Sequence, residues 1–239
     1  MHALIVYAHP EPTSFTGALK DRAVEALIRS GHTVKVSDLH AECFNPVAGR
    51  HDFTSVADPE RFHYQSEQEH AARCGTFAPD IKREQERVSD ADVLILQFPL
   101  WWGSTPAILK GWIDRVLAYG FAYVDGRRFG TGLFTGRRAL FSVTTGGTPQ
   151  RFTKEGVYGE IETVLYPVER LLLQYMGFEV LPPFVAYAAP RVGDAERQAY
   201  LDNWEATVLK AMAMPANREK PDFSAALAAV GSGAWGTQR

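Results

Sequence analysis

The feature that most constrains this chain is a set of short apolar runs without polar alternation. Ala3–Ala8 reads ALIVYA, Asp92–Phe98 reads DVLILQF and Ala139–Thr144 reads ALFSVT. A strand with one wet face alternates apolar and polar side chains; a continuous run marks a strand covered on both faces, as in parallel sheets. Thr33–Ser37 alternates and suits a strand nearer the sheet edge, and a fifth run lies within Phe178–Tyr187, interrupted by Pro182 and Pro183. Segments with helical spacing separate the runs, at about residues 16–30, 80–90, 106–119, 160–176 and 195–212. Strands alternating with helices predict an α/β fold, a doubly wound five-stranded parallel sheet with helices on both faces.

The punctuation agrees. Thr13 or Ser14 can cap the first helix and Gly31 can end it; Pro106 suits a first helical turn, where its missing N–H costs nothing; Gly177 can close the fourth helix. Residues 39–79 form a long insertion rich in His, Asp, Glu and Gln. The chain is read as one domain, 1–213, followed by an Ala/Gly/Ser-rich extension, 214–239, expected to be extended or poorly ordered.

Composition excludes several classes. A net charge of −3 gives no whole-molecule case for nucleic acid. Two cysteines, Cys43 and Cys74, with no CxxC, argue against a disulfide framework or a thiolate metal site and fit a reducing compartment. The first apolar run spans six residues without a basic flank, so it reads as a strand rather than a leader, and a cytoplasmic location is expected. His63, Glu67 and His70 share helical i, i+4, i+7 spacing, but such trios are usually solvated helix surface, so no metal is assigned. Arg127–Arg128 and Arg137–Arg138 read as solvated loop pairs, either of which could meet an NADP phosphate.

In an open parallel sheet, ligands sit beyond the carboxyl ends of the strands, where strand order reverses. Three segments fall there. AHPEPTSFTGAL joins a strand to a helix start, whose free amides with Thr13, Ser14 and Thr16 suit an anion. FPLWWGSTP places Trp101 and Trp102 beside Gly103, flat apolar surface for a planar ligand, for core packing or for a dimer contact. TTGGTPQRF offers two adjacent glycines, which permit close backbone approach. No G-x-G-x-x-G or P-loop pattern occurs in the first of these segments, so phosphate held there without glycine crowding fits flavin better than ATP.

Together these segments resemble the NAD(P)H dehydrogenase (quinone) family. The resemblance rests on AHPEPTSF, SDL at 37–39, FNP at 44–46, QFPLWWGSTPAILKGW at 97–112, GFAY at 120–123, TTGG at 144–147 and GF at 177–178, and runs from about residue 3 to 204. It implies a flavodoxin-like fold with strand order 2-1-3-4-5, a homodimer with FAD at the subunit interface, and ping-pong two-electron transfer from NAD(P)H through FAD to a quinone-like acceptor. By the resemblance, His9, Thr13, Ser14, Phe15 and Thr16 hold the pyrophosphate and ribityl end. Pro99, Leu100, Trp101 and Trp102 run along the isoalloxazine; Thr144, Thr145, Gly146 and Gly147 bind its pyrimidine edge; Arg197 lies near the adenine. Gly103, Tyr123 and Phe152 belong to the substrate pocket. Where the family commonly has Tyr and His after TTGG, this chain has Phe152 and Tyr158, which leaves Tyr158 as the catalytic side chain. Asp125 replaces a second pocket tyrosine, and His63 stands where a glutamine contacts the cofactor. Two other roles suit the same fold: an azo- or nitro-reductase, with FMN as a second cofactor choice, and a flavin-binding regulatory subunit of a potassium-efflux system.

Overall fold

The structure, a computed structural model, describes residues 1–215 and 219–230. Strands β1 (His2–Tyr7), β2 (Thr33–Asp38), β3 (Val93–Pro99) and β4 (Arg138–Thr144) pair in parallel. The sheet runs β2-β1-β3-β4, then a fifth position shared by β5 (Glu179–Val180) and β6 (Phe184–Ala186). β5 pairs with the start of β4 and β6 with its end. Between them Pro182 and Pro183 have no N–H for the ladder, and a strand that needs one cannot stay continuous.

The three apolar runs are buried at nearly every position, and their alternate side chains feed two cores. Ile5, Tyr7, Val93, Ile95 and Leu140 pack with Leu19, Ala23 and Leu27 of α1 (Phe15–Arg29) and with Trp204 and Val208 of α6 (Asp194–Ala213). Leu4, Val6, Leu94, Leu96 and Phe141 pack on the other face, against α3 (Pro79–Asp90), α4 (Ala107–Val116) and α5 (Ile161–Val168). This is the expected doubly wound architecture. At α1 the Ser14 side chain accepts from Gly17 N–H at 3.1 Å, and Gly31 follows the helix at φ 77°. The last turn of the α5 segment widens into a π-helix at Glu169–Gln174, close after Pro167, a residue that cannot donate to the helical ladder.

The insertion 39–79 contains a helix the sequence reading did not place, α2 (Tyr64–Cys74). Glu67 is buried there, not solvated: it accepts from Ala57 N–H at 2.8 Å. His63 caps the helix through Ser66 N–H, and His70 Nε2 lies 2.8 Å from Ser55 Oγ, so all three side chains pin the insertion. Beneath it, buried Arg115 bridges Asp52 at 2.8 Å and Asp80 at 3.0 Å.

Two further readings are corrected. Arg137 and Arg138 are buried, with Arg137 Nη1 donating to the carbonyls of Ser89 and Ala91 at 2.6 and 2.8 Å. The extension is not simply extended: α7 (Phe223–Val230) is a helix whose Ala226 and Leu227 are buried and whose Phe223 ring lies 4.7 Å from Phe121. FSAALAAV combines good helix formers with an apolar stripe, and tertiary packing stabilises it. Residues 216–218 and 231–239 of that extension lie outside the described residues. Among the described residues no helix is long and apolar enough to cross a membrane.

Candidate active site

The segments after β1, β3 and β4 meet at one rim of the sheet, and each is shaped by a local rule. After β1, His9 Nδ1 lies 3.0 Å from Glu11 N and 3.1 Å from Glu11 O, so the Glu11 backbone can hold the neutral ring in either tautomer. Burial lowers the His9 pKa, which favours that neutral form. Gly17 lets the loop fold back on the helix, since a Cβ there would overlap the Pro12 carbonyl. The first turn of α1 has no acidic residue, which leaves its positive end open to an anion. Thr16 Oγ1 meets Thr144 Oγ1 at 2.9 Å in a buried contact that locks the first segment to the third.

After β3 the chain reverses in a tight turn. Trp101 N–H donates to Ser104 O at 3.1 Å and Ser104 N–H returns to Trp101 O at 3.0 Å. The two central residues, Trp102 and Gly103, both have positive φ, 50° and 69°. That geometry suits glycine at the second position and is uncommon for tryptophan at the first. Its consequence is exposure: Trp102 is fully exposed and Trp101 is 45% exposed. Neither tryptophan is therefore a core residue.

After β4, Thr145 N–H donates to Ala186 O at 3.0 Å and its hydroxyl to Gly147 O at 2.8 Å, which fixes the glycine pair. A Cβ on Gly147 would come within 2.8 Å of the Phe152 ring. A Cβ on Gly146 would meet nothing within 4 Å. Gly147 is needed for packing, whereas Gly146 faces open space.

The result is a cleft in two halves. The first, about 510 Å³, is lined by His9, Ser14, Phe15, Thr16, Pro99, Leu100, Trp101, Thr144, Thr145, Gly146 and Arg197, together with Ala189 and Pro190. The second, about 560 Å³, is lined by Leu100, Trp102, Gly103, Thr145, Gly146, Gly147, Phe152 and Tyr158, together with Arg151, Val164 and Arg191. Leu100, Thr145 and Gly146 belong to both. Among the described residues no carboxylate lines either half. Arg197 Nε is buried without an acceptor among the described residues.

Two of the expected site residues stand apart. Thr13 is turned onto Glu11, with Oγ1 donating to Glu11 Oε1 at 2.6 Å, and does not line the cleft. Tyr123 packs edge-on against Tyr119 at 5.4 Å and accepts from Gln65 at 3.3 Å, away from its own chain's cleft. Burial pushes its phenol up to about 12. Phe152 is buried 5.1 Å from the half-exposed Tyr158 ring, an apolar wall with no proton to give.

Sequence reasoning missed two arginines. Arg151 Nη1 donates to Tyr158 Oη at 3.2 Å, and Arg191 Nη1 to Gly146 O at 2.7 Å. Arg151 lay in plain view within TTGGTPQRF. Arg191 carried no signal, because it follows a half-strand whose start the two prolines obscure.

Both halves suit a flat ring with an anionic tail: open backbone at Gly146, helix-start amides at α1, exposed aromatic surface, and an unspent guanidinium N–H at Arg197.

A family model described as "Flavodoxin-like fold" matches residues 1–208. A ribosyldihydronicotinamide dehydrogenase [quinone] of Pongo abelii is 47% identical over 202 residues, 84% of this chain and 87% of that protein. NAD(P)H dehydrogenase [quinone] 1 of Cavia porcellus is 42% identical over 204 residues, 85% of this chain and 74% of that protein. A crystal structure of a candidate quinone reductase from Klebsiella pneumoniae superposes with a TM-score of 0.85 at 38% identity, covering 93% of this chain and 90% of the other.

Proposed function

The chain belongs to the quinone reductase family with the flavodoxin-like fold, and on that premise we propose that it is a flavin-dependent NAD(P)H:quinone oxidoreductase using FAD. The observation that carries the proposal is the convergence of three strand-end segments on one carboxylate-free cleft open at Gly146. When bound, the flavin supplies a two-electron relay between a nicotinamide donor and a quinone, which take the same place in ping-pong order.

The chain's own residues supply binding, orientation and electrostatics. The first-turn amides of α1 with His9, Ser14, Phe15 and Thr16 face the pyrophosphate and ribityl end. Thr13 supports that loop through Glu11. Arg197 also lines the first half, and its unpartnered Nε offers a further donor that a dinucleotide such as FAD could use and FMN would not need. Pro99, Leu100, Trp101 and Trp102 orient the ring, and Thr144, Thr145, Gly146 and Gly147 present backbone groups to its pyrimidine edge. Tyr158 is the proton-bearing side chain at the rim where negative charge develops, and fixed donors at such a position are an effective electrostatic device. Phe152 excludes water behind it, while Gly103 leaves room for the acceptor.

Tyr123 completes the pocket only if a second copy supplies it. Fully exposed Trp102 in the cleft lining and 78% exposed Val157, the neighbour of Tyr158 in the chain, support a homodimer that covers them. Two exposed, unpaired cysteines fit the cytoplasm.

The test is the visible spectrum and extracted cofactor of the purified protein, followed by NAD(P)H oxidation with a quinone. Colourless protein that takes up neither FAD nor FMN overturns the proposal. A flavin-loaded protein with no turnover on any quinone, azo or nitro acceptor overturns its catalytic part.

A further inference from the structure

The second half of the cleft holds two guanidinium groups to which the flavin reading gives no task. Arg151 sits in the short turn Pro149–Phe152, and Arg191 follows β6. Both are exposed, neither forms an ion pair among the described residues, and no Asp or Glu lines this half.

The chain's structural arginines are different. Arg115 is buried and spends its N–H groups on Asp52, Asp80 and the Asn45 carbonyl. Arg137 is buried among backbone carbonyls. Arg151 and Arg191 each have one hydrogen bond, which holds the head group and leaves most of its five donors unspent. Arg191 is fixed on the Gly146 carbonyl, and the Arg151 Cζ also lies 5.9 Å from the centre of the Tyr158 ring. The surrounding walls are flat and apolar, from Trp102, Phe152 and Tyr158. Two held cations without counter-ions beside aromatic walls match a ring that carries an acidic group, and guanidinium suits planar oxyanions.

We propose that this half of the cleft selects ring substrates bearing a carboxylate, sulfonate or phosphate, which Arg151 and Arg191 bind. The proposal names a substrate class for the site described above and rests on the oxidoreductase reading. The acidic group has two possible sources: a substituent on the acceptor, or the phosphate of the nicotinamide donor.

The direct test is binding without turnover. The purified protein as isolated is titrated with naphthalene-2-carboxylate and with the matched neutral naphthalene-2-carboxamide, followed by tryptophan fluorescence. The carboxylate is expected to bind about tenfold more tightly, and the Arg151→Gln/Arg191→Gln double variant to abolish that ratio. Equal Kd values in the wild type, or a ratio the variant leaves intact, overturn the proposal. Steady-state arms then locate the source. One compares a sulfonated with an uncharged naphthoquinone; the other compares reduced nicotinamide riboside with its 5′-phosphate. Because each arm reads a ratio of kcat/KM, any general effect of losing the Arg151–Tyr158 contact cancels. The arm whose ratio falls about tenfold in the variant identifies the source, and no change in either overturns the proposal. A carboxylate preference in protein that binds no flavin supports the anion site and sinks only the redox reading. Turnover without charge preference does the reverse.

Discussion

The two ends of the sheet hold cavities of nearly equal size, about 580 Å³ at the strand starts and 560 Å³ in the second half of the candidate active site. Both are lined by arginine and polar side chains, yet they differ in what is already spent. At the strand starts, Lys35 and Lys220 converge on Asp90 at 3.1 and 2.5 Å, Arg137 sits among carbonyls, and Asp92 accepts from His2 N–H at 2.8 Å. At the strand ends, Arg151 and Arg191 lack counter-ions and Arg197 Nε lacks an acceptor among the described residues, and two tryptophans face outward. Volume does not distinguish the two; unspent donors and uncovered rings do. A buried polar atom left unsatisfied costs stability, so Arg197 Nε points to a ligand, while the exposed Arg151 and Arg191 mark the site only by their unpaired charge.

The contrast breaks most sharply at Gly146. Its φ is not positive and its missing Cβ would meet nothing within 4 Å, so Gly146→Leu is tolerated by the protein alone. It fills the space assigned to the ring, and overpacking of about 2–3 kcal/mol predicts roughly 100-fold weaker flavin binding. Flavin titration and a melting curve check it: the flavin should be lost while Tm stays within a few degrees. A large fall in Tm would show that Gly146 is structural.

The opposite end predicts the opposite pattern. Arg137→Met removes a guanidinium that satisfies the carbonyls of Ser89 and Ala91, and should cost about 2 kcal/mol of stability. Flavin content should not change. Urea denaturation measures the first, and the absorbance ratio of flavin to protein the second.

These contrasts explain how much the sequence reveals. The sheet was legible because ALIVYA, VLILQF and ALFSVT are buried on both faces, so local composition and tertiary environment agree. The site's main walls were legible for the same reason, since they begin where those runs end. Helix α2 was hidden because its buried side chains include Glu67, Gln68 and Glu69, polar residues satisfied by Ala57 N–H, by the Asp114 carbonyl with Tyr119 N–H, and by Arg73, partners that no periodicity announces. Helix α7 was hidden by its small-residue composition, which matches a tail as well as a helix. Arg191 was hidden because the half-strand before it is defined by pairing with β4, a long-range fact. The position of Tyr123, away from its own cleft, likewise depends on packing against Tyr119 and Tyr175.

A smaller effect is expected at Tyr158. Tyr158→Phe keeps the ring against Phe152 and removes the hydroxyl that Arg151 holds. If that hydroxyl serves developing charge, turnover should fall about tenfold, the worth of one hydrogen bond to a charged group, with little change in flavin binding. Stopped-flow reduction and reoxidation would show which half-reaction slows. Unchanged rates in both would remove Tyr158 from the catalytic set.

The least effect, and the finest separation of the two ends, comes from pH. Burial lowers the His9 pKa below its ordinary 6.5, so as pH falls through that value the unfolded chain takes up a proton that the folded chain resists. Stability is therefore lost below about 6.5 until the lower folded pKa is passed, and His9→Gln should flatten that part of the curve. Asp90 at the other end is held below its ordinary 3.8, first by its hydrogen bond to Lys220, which outweighs partial burial, and then by Lys35. Its contribution is intact above 3.8 and disappears only as pH falls through the lower folded value, so Asp90→Asn should flatten the acid limb alone. Exposed ion pairs of this kind contribute about 0.2–1 kcal/mol each, so the difference is small but lies in its own window. Bound flavin sharpens the comparison: an anion beside His9 favours its protonated form and should shift only the window nearer neutrality. Urea midpoints from pH 3 to 8, with and without flavin, would show a shift there and none near Asp90, and a flavin-dependent shift in the acid limb would mean that the anionic ligand sits at the wrong end of the sheet.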